Sequence, residues 1–316
     1  MSEQSASASL PSLSVVLPSY NVDRYLEKCV ASLLAEAPEH LELIVVDDGS
    51  TDDTPAIADA LAAADARIRV IHQANAGCPA ARNAGFAIAT GDYMGFVDPD
   101  DEVEPGWARH LLEAAAIRQP AAIVKGEHIT VGLDGTCSGL SGMCMSMLVN
   151  GPLQWYGAMW SAIYRRDFLQ RHGMRFPEHY FDDVDFQAKA LLSAMLAHEP
   201  ITISPQAIYR YLRREGSLDA NVYNARQMSG ILTTITELHE ILKMHAQQLP
   251  PFGVALQYWY NIGKLLFVAR RAERREDQIR AWALAGRMGS ECPFQAELKR
   301  IMEGLKAQRL RDAEQS

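Results

Sequence analysis

The sequence predicts an α/β fold in which helices cover a mostly parallel β-sheet. Short runs rich in β-branched residues alternate with helical stretches through the first 124 residues. Such alternation requires crossover connections, which make neighbouring strands parallel and lay helices on the sheet. With 48% hydrophobic residues among 316, the chain has enough apolar material for a sizeable core. No run of about 18 apolar residues occurs, so we expect no membrane-spanning helix.

The elements of the first part follow from local pattern. Residues 14–17 are apolar and β-branched and stop at Pro18, which favours a buried strand. Residues 22–35 have apolar side chains at helical spacing, and residues 55–64 form an Ala-rich segment with proline in the first turn. The remaining predicted strands are 41–46, 68–71, 93–97 and one that starts at 122–124, and the remaining helices are 79–89 and 107–117.

The alternation ends after residue 128. Residues 132–151 are rich in Gly, Ser and Met and predict a long loop. Beyond it we expect strands at 160–164 and 201–211, a helix at 182–196, and helices from residue 225 onward that break near 286–293. The predicted organisation is a disordered lead-in over 1–11, an α/β domain over 12–220 and a helical region over 221–316.

Charge and cysteine content narrow the function classes. The net charge is −9, and the first 101 residues carry 16 acidic and five basic side chains. An acidic body argues against nucleic-acid binding, which requires a basic footprint. The five cysteines are scattered, none forms a CxxC pair, and no secretory signal is visible, so we expect reduced thiols in a cytoplasmic protein.

Polar clusters follow three of the predicted strands, namely Pro18-Ser19-Tyr20-Asn21, Asp47-Asp48-Gly49-Ser50 and Asp98-Pro99-Asp100-Asp101. Ligands bind beyond the carboxyl ends of strands in open parallel sheets. The chain lacks GxGxxG after the first strand and has no GxxxxGK[ST], which disfavours a dinucleotide-binding domain and a P-loop NTPase. Two carboxylates one residue apart suit Mg²⁺ or Mn²⁺. A purely structural acidic turn is the alternative for Asp98-Pro99-Asp100.

Taken in order, these motifs resemble the family-2 glycosyltransferases, which have the GT-A fold. The resemblance covers about residues 12–217, and its specificity comes from the joint order of short segments. Those segments are Val15 to Asn21, Ile44 to Thr54, Asn75-Ala76-Gly77, Ala81 to Gly85, Gly91-Asp92-Tyr93, Phe96 to Asp101, Trp160, Tyr164-Arg165-Arg166, Phe176-Pro177-Glu178, Asp182 to Phe186 and Tyr211 to Ser217. It implies a Rossmann-like, mostly parallel sheet with a C-terminal helical extension.

The resemblance implies a nucleotide-sugar donor site with a divalent cation, Mn²⁺ or Mg²⁺. The implied metal ligands are Asp100 and Asp98. The implied donor-binding residues are Pro18, Tyr20, Asp48, Asn75, Arg82, Asp98, Asp101, Arg213 and Ser217, with Arg214 as the alternative phosphate-binding arginine. Two of these have competing structural explanations: Asp48 together with Asp47 as helix-capping acids, and Arg82 as a member of an ion pair.

The implied catalytic pair is Asp182 and Asp183, in which Asp183 acts as the base and Asp182 binds the acceptor or orients the loop. Helix capping is the alternative for this acid run. Trp160, Trp155 and His179 are the candidate acceptor contacts, and buried structural tryptophans are the alternative for the first two. Asp185 is expected to be a solvated or supporting acid.

The predicted function is a metal-dependent, inverting hexosyltransferase that moves a sugar from a UDP-sugar to a glycan or lipid-linked acceptor in bacterial surface polysaccharide synthesis. A nucleotidyltransferase, a non-catalytic sugar- or nucleotide-binding protein on the same fold, and a glycoside hydrolase with paired acids are the alternatives. The aromatic and basic tail near residues 258–275 is compatible with a helix packed on the domain, a peripheral contact with the inner face of the cell membrane, or a homodimer.

Overall fold

A computed structural model of the chain describes residues 10–117, 120–141, 159–214 and 223–303. Most of the predicted lead-in, the second half of the predicted loop at 132–151, Trp155 and Ser217 lie outside these residues. The described residues form two compact units. The first contains residues 10–117, 120–141, 159–175 and 199–214, and the second contains residues 176–198 and 223–303.

An eight-stranded sheet forms the centre of the first unit. Its strands are β1 (Leu13–Ser19), β2 (Leu41–Asp47), β3 (Ile68–His72), β4 (Tyr93–Phe96), β5 (Glu102–Val103), β6 (Ile123–Val131), β7 (Ala162–Arg165) and β8 (Ile201–Leu212). They are ordered β3-β2-β1-β4-β7-β6-β8-β5. The pairs β1/β2, β1/β4, β2/β3 and β6/β8 are parallel. This mostly parallel sheet confirms the predicted fold class.

Two features of the sheet differ from the sequence prediction. Strand β7 runs antiparallel between β4 and β6, and the two-residue β5 pairs antiparallel with β8 at the edge. Strand β6 extends to Val131 because it pairs with β8 along its length, with an irregularity between Gly126 and Glu127. These pairings join segments far apart in the chain, which a local pattern does not encode.

Helices α1 (Leu26–Leu34), α2 (Thr54–Ala64), α3 (Cys78–Ile88), α4 (Trp107–Ala115) and the short α5 (Arg166–Arg171) complete the first unit. Helix α3 packs on β1 and β2, and α4 packs on β6 and β8. Gly85 allows the close approach of α3, since a Cβ there would lie 2.4 Å from the Val16 Cγ1 atom. This close fit fixes α3 against β1.

The second unit is helical and contains α6 (Asp182–Leu196), α7 (Ala225–Met244), α8 (Pro251–Ala269) and α9 (Arg275–Glu291). Residues 295–303 are also helical. Helix α7 begins at a capping box in which Asn224 and Gln227 exchange side-chain to backbone bonds. The predicted break near 286–293 is wrong for Gly286, since α9 continues through it to Glu291. Among the described residues, no helix combines the length and apolar character needed to cross a bilayer.

Candidate functional site

The predicted donor residues of the first unit gather at one edge of the sheet. Strands β1, β2 and β4 are parallel neighbours, so the segments that follow them leave the sheet on the same side. Pro18 is buried within β1, and Tyr20 directly after that strand is 49% exposed. Asn21 accepts a bond from the Thr51 backbone, which ties the segment after β1 to the one after β2.

The two aspartates at the end of β2 have different partners. Asp47 accepts bonds from the Ser50 backbone and His72. Asp48 is buried and accepts three bonds from the segment after β3: from the Gln73 side chain at 2.7 Å and from the Ala76 and Gly77 backbones at 2.9 and 2.8 Å. Neither aspartate is the N-cap residue of a helix, but the Asp48 carboxylate lies at the N-terminus of α3, where it accepts the bond from the N-cap residue Gly77.

The bonds that Asp48 accepts hold the segment containing Asn75 at the sheet edge. Gly49 has a φ of +72°, and a Cβ there would lie 2.8 Å from the Asn75 backbone nitrogen. The turn therefore requires glycine on both conformational and steric grounds. A carboxylate offers about four acceptor positions, so Asp48 keeps about one for a ligand. Its contact with a nucleobase stays a prediction.

Asp98 and Asp100, after β4, each contact an arginine. The Arg82 guanidinium of α3 lies 3.0 Å from the Asp98 carboxylate, and the Arg82 side chain is 7% exposed. The predicted alternative for Arg82, an ion pair, is therefore present in the structure. Arg214 pairs with Asp100 and lies over the Tyr25 ring. Burial raises the pKa of the Asp100 carboxyl above its ordinary value, and the nearby Asp98 charge adds to the rise.

Asp101 joins this acidic turn to β8. Its carboxylate accepts bonds from the Tyr209 hydroxyl and the Leu212 backbone, both at 2.8 Å, and its own backbone donates to Asp98. The Tyr209 hydroxyl also accepts a bond from the Asp98 backbone at 3.3 Å. Burial raises the pKa of Asp101 to about 8, with a further contribution from the Asp98 charge. These bonds show that Asp101 holds the loop, and its predicted contact with the donor stays a prediction.

Tyr209 is the residue of this site that the sequence analysis missed. It is fully buried, and its ring stacks on Trp160 at 4.2 Å between centroids. Trp160 is 8% exposed and also stacks on Tyr211, while His128 meets it edge-on. Trp160 thus packs against the Tyr209 ring, whose hydroxyl donates to Asp101. The predicted contact of Trp160 with the acceptor stays a prediction. No local motif marks Tyr209, because its partners lie 108 and 111 positions away.

The carboxylates fit a divalent cation that completes its coordination with phosphate oxygens. Asp98 and Asp100 offer hard oxygen ligands, and Asp98 stays 30% exposed at its side chain. Across the described part of the chain, no group of three or more His, Cys, Asp or Glu residues could enclose a metal ion. Mg²⁺ and Mn²⁺ are commonly held by one or two carboxylates together with substrate phosphates. This donor set suits such a cation.

The predicted catalytic pair lies in the second unit, in the first turn of α6. Phe181 precedes Asp182 with a φ of +82°, a conformation that is strained for a bulky residue. Phe181 occupies the N-cap position without a side-chain bond, and Asp182 and Asp183 follow it in the first turn, so neither aspartate is the N-cap residue. Both aspartates are partly exposed.

Two neighbours of this pair have structural partners. Asp185 is fully buried and pairs with Lys189 at 2.8 Å, so of the two expected roles for Asp185 the supporting one is confirmed. Burial raises the pKa of the Asp185 carboxyl. His179 has its Nδ1 atom 3.0 Å from the Tyr180 carbonyl oxygen and is partly exposed. Its acceptor contact stays a prediction.

Comparisons with known proteins agree with this geometry. A family model described as Glycosyl transferase family 2 matches residues 14–136. The glycosyltransferase EpsJ of Bacillus subtilis (strain 168) is 32% identical over 223 residues, which are 66% of this chain and 63% of EpsJ. The chondroitin synthase of Pasteurella multocida (strain Pm70) is 32% identical over 127 residues, 40% of this chain and 13% of the synthase. The chain therefore spans less than two thirds of either relative.

A solved structure extends the agreement on fold. S. aureus TarS 1-349 in complex with UDP-GlcNAc matches with a TM-score of 0.59 and 20% sequence identity. The match covers 93% of this chain and 92% of that one, which confirms the predicted fold with its C-terminal helical extension. The family match covers the segments after β1, β2 and β4 that carry the acidic site. By this match and these relatives, residues 14–136 form a family-2 glycosyltransferase domain.

Proposed function

We propose that this protein is a metal-dependent, inverting glycosyltransferase that moves a hexosyl group from a UDP-sugar to a hydroxyl of a glycan or lipid-linked acceptor. The observation that carries the proposal is the pairing of Asp98 with Arg82 and of Asp100 with Arg214 beyond β4. Two carboxylates suit a bridging cation, and two guanidiniums suit phosphate oxygens. A diphosphate with its cation requires this combination of charges.

We assign nucleoside binding to the end of β1 and to the segments that follow β2 and β3. Tyr20 offers an exposed ring for stacking on a base, and Pro18 lies two residues before it. The remaining acceptor position on Asp48 suits a base N–H, and Asn75 lies on the segment that Asp48 holds. Uridine is proposed because the TarS neighbour of the same fold was solved with UDP-GlcNAc.

The bound cation would neutralise the negative charge that develops on the departing diphosphate. Asp98 and Asp100 would hold it, and Arg82 would bind a phosphate oxygen. The segment with Arg213, Arg214 and Ser217 would bind the same diphosphate, since Arg214 already lies at the acidic turn. When Arg214 binds the diphosphate, it would give up its ion pair with Asp100, and the Asp100 carboxylate would become available to the cation.

Asp183 is the proposed base. The acceptor oxygen attacks the anomeric carbon from the face opposite the diphosphate, and the bond from that carbon to the phosphate oxygen breaks. The acceptor proton passes to the Asp183 carboxylate, and the diphosphate takes the bonding electron pair. Asp182 orients the acceptor, and Trp160 and His179 are further proposed contacts for it. Attack opposite to the leaving group inverts the configuration at the anomeric carbon.

The acceptor and the cellular setting belong to the same proposal. A chondroitin synthase among the relatives supports a role in bacterial polysaccharide synthesis. We assign the reaction to surface polysaccharide or glycolipid synthesis by a protein in the cytoplasm or at the inner face of the cell membrane.

A thermal-shift screen tests the donor site. UDP and UDP-sugars, with and without Mn²⁺, are compared with GDP and CDP counterparts at equal concentration. A ligand at about 100 times its Kd stabilises the folded state by about 2.7 kcal/mol. We expect the largest rise in Tm with a UDP-sugar and Mn²⁺ together. If no nucleotide-sugar or nucleoside diphosphate raises the Tm in the presence of metal, the proposal fails.

Asp183→Asn tests the base separately. The variant should keep the metal-dependent shift by the UDP-sugar and lose transfer, because an amide does not take the proton. Glu303→Gln, which removes an exposed carboxylate from the same unit, is the matched control and should keep both. Full transfer by Asp183→Asn would remove Asp183 as the base. Donor binding without transfer by the wild-type protein to any glycan or lipid-linked acceptor would favour a non-catalytic binding protein.

A further inference from the structure

Helix α8 exposes apolar side chains along one face. Phe252, Tyr260 and Phe267 are 46%, 39% and 44% exposed, and Leu266 beside them is 41% exposed. Spacings of eight and seven residues place the three aromatic rings on one side of the helix. We call these four side chains the aromatic face of α8. An ordinary surface helix presents polar side chains to water, so this face calls for a partner.

The opposite side of α8 has the reverse character. Asn261 is fully buried with neither its amide nitrogen nor its amide oxygen hydrogen-bonded, and the buried Gln257 has an amide nitrogen without a partner. Buried polar groups without partners are costly, and most native structures avoid them. The core-facing side of α8 therefore carries side-chain amides, and its outer side carries exposed aromatic rings. None of the four side chains of the aromatic face belongs to the buried core of the second unit.

The chain segment that carries the aromatic face has charged side chains of one sign. Residues 241–272 contain no aspartate or glutamate, although the chain carries a net charge of −9. Lys264 and Arg271 both lie over the Phe267 ring, at 5.8 and 3.8 Å from its centroid. Arg270 is exposed at the end of the same helix. Within the described part of the chain, neither Arg270 nor Arg271 forms an ion pair with a carboxylate.

We propose that the aromatic face of α8 with Lys264, Arg270 and Arg271 docks on an anionic lipid bilayer. Aromatic rings enter the boundary between headgroups and acyl chains, and long basic side chains reach the anionic headgroups beside them. A second copy of this chain is the less favourable occupant. A two-fold contact presents the same patch on both sides, so the three cations would face their own copies across the interface.

The test is flotation of the full-length protein with vesicles. Vesicles of phosphatidylcholine alone are compared with vesicles that contain about 30% phosphatidylglycerol, a fraction that gives a marked negative surface potential. We expect binding to the anionic vesicles only, with loss at high salt because the headgroup attraction is screened. Equal binding to both kinds of vesicle, or no binding to either, would overturn the proposal.

Variants identify the surface. Phe267→Ser should reduce the bound fraction at least about threefold, since it removes an aromatic anchor from the interface. Ile117→Ser, which removes an exposed apolar side chain of the first unit, is the control and should bind as the wild type does. Arg270→Gln combined with Arg271→Gln changes exposed or partly exposed positions and should weaken binding without a change in Tm.

Two results would assign the face differently. Vesicle binding by Phe267→Ser and by the double arginine variant at the wild-type level would place the contact elsewhere and overturn the proposal. A dimer in light scattering that Phe267→Ser dissolves, without any vesicle binding by the wild type, would give the face to a second copy. Because none of these readouts involves nucleotide or transfer, failure here is separate from failure of the proposed function.

Discussion

Replacing Tyr209 by phenylalanine removes one hydroxyl and keeps the ring that stacks on Trp160. That hydroxyl donates to the Asp101 carboxylate at 2.8 Å and accepts from the Asp98 backbone at 3.3 Å. Asp101 then loses a bond in a buried environment and Asp98 loses one in a partly buried environment, and each such loss costs about 1–3 kcal/mol. We expect Tyr209→Phe to lower the free energy of unfolding by about 3 kcal/mol. Leu212 still donates to Asp101, so the turn should loosen and not unfold.

The functional consequence concerns the carboxylates of the same turn. Tyr209 fixes the backbone of Asp98, and through Asp101 it joins the turn to the end of β8, directly before Arg213. A turn that loses this anchor holds its two carboxylates less firmly. We expect the Mn²⁺ concentration for half-maximal UDP binding to rise about tenfold, which corresponds to about 1.4 kcal/mol. UDP binding in the absence of metal should change much less.

The assay is a Mn²⁺ titration of the UDP-dependent rise in Tm, together with urea unfolding. Tyr93→Phe is the matched control, because Tyr93 is 2% exposed and donates one bond to the Ala121 carbonyl oxygen at the opposite end of the sheet. It should cost about 1–2 kcal/mol of stability and leave the Mn²⁺ midpoint unchanged. The reasoning is refuted if both variants shift that midpoint equally, or if Tyr209→Phe unfolds like the wild type.

The remaining predictions concern packing, pH and the acidic turn. Gly85→Ala should lower stability by about 1–3 kcal/mol in urea, because the new methyl overlaps β1, whereas Gly286→Ala, with open space around it, should not destabilise α9. Hydrogen bonds that His72 donates to Asp47 and Asp59 raise the pKa of its imidazole, so the stabilisation by His72 is present at acidic pH and is lost as the pH rises through the raised value; His72→Gln should flatten the dependence of Tm on pH. Arg214→Ala should strengthen Mn²⁺ binding to the nucleotide-free protein, measured by titration calorimetry, and weaken metal-dependent UDP binding; the same direction for both would contradict a role for Arg214 as the counter-ion of Asp100.

The secondary structure was largely predictable from local pattern. The helix expected at 182–196 is α6, with the same bounds, and the first four strands begin and end within about two residues of their predicted positions. Alternation of apolar runs with helical spacing encodes these elements because each depends on residues that are close in the chain. The strand-end location of Asp98 and Asp100 follows from the same alternation.

The partners of the site residues were not predictable in this way. Asp48 holds the segment after β3, Arg214 holds Asp100, and Tyr209 holds Asp101, and no motif marks any of these pairs. Each depends on which strands become neighbours and in what register. Strand β7, antiparallel between β4 and β6, changes those neighbours without a local signal.

The order of residues along the chain was therefore sufficient for the fold class, the family and the carboxylates that follow β4. Those properties depend on short stretches whose hydrophobic period and turn chemistry are local. The connection of the acidic turn to β8 arises only in the folded chain, since it joins backbone and side-chain groups 111 positions apart. Such a contact forms only when the strands of the sheet assemble and bring β8 to the site. Burial then raises the free-energy cost of losing any one of these hydrogen bonds.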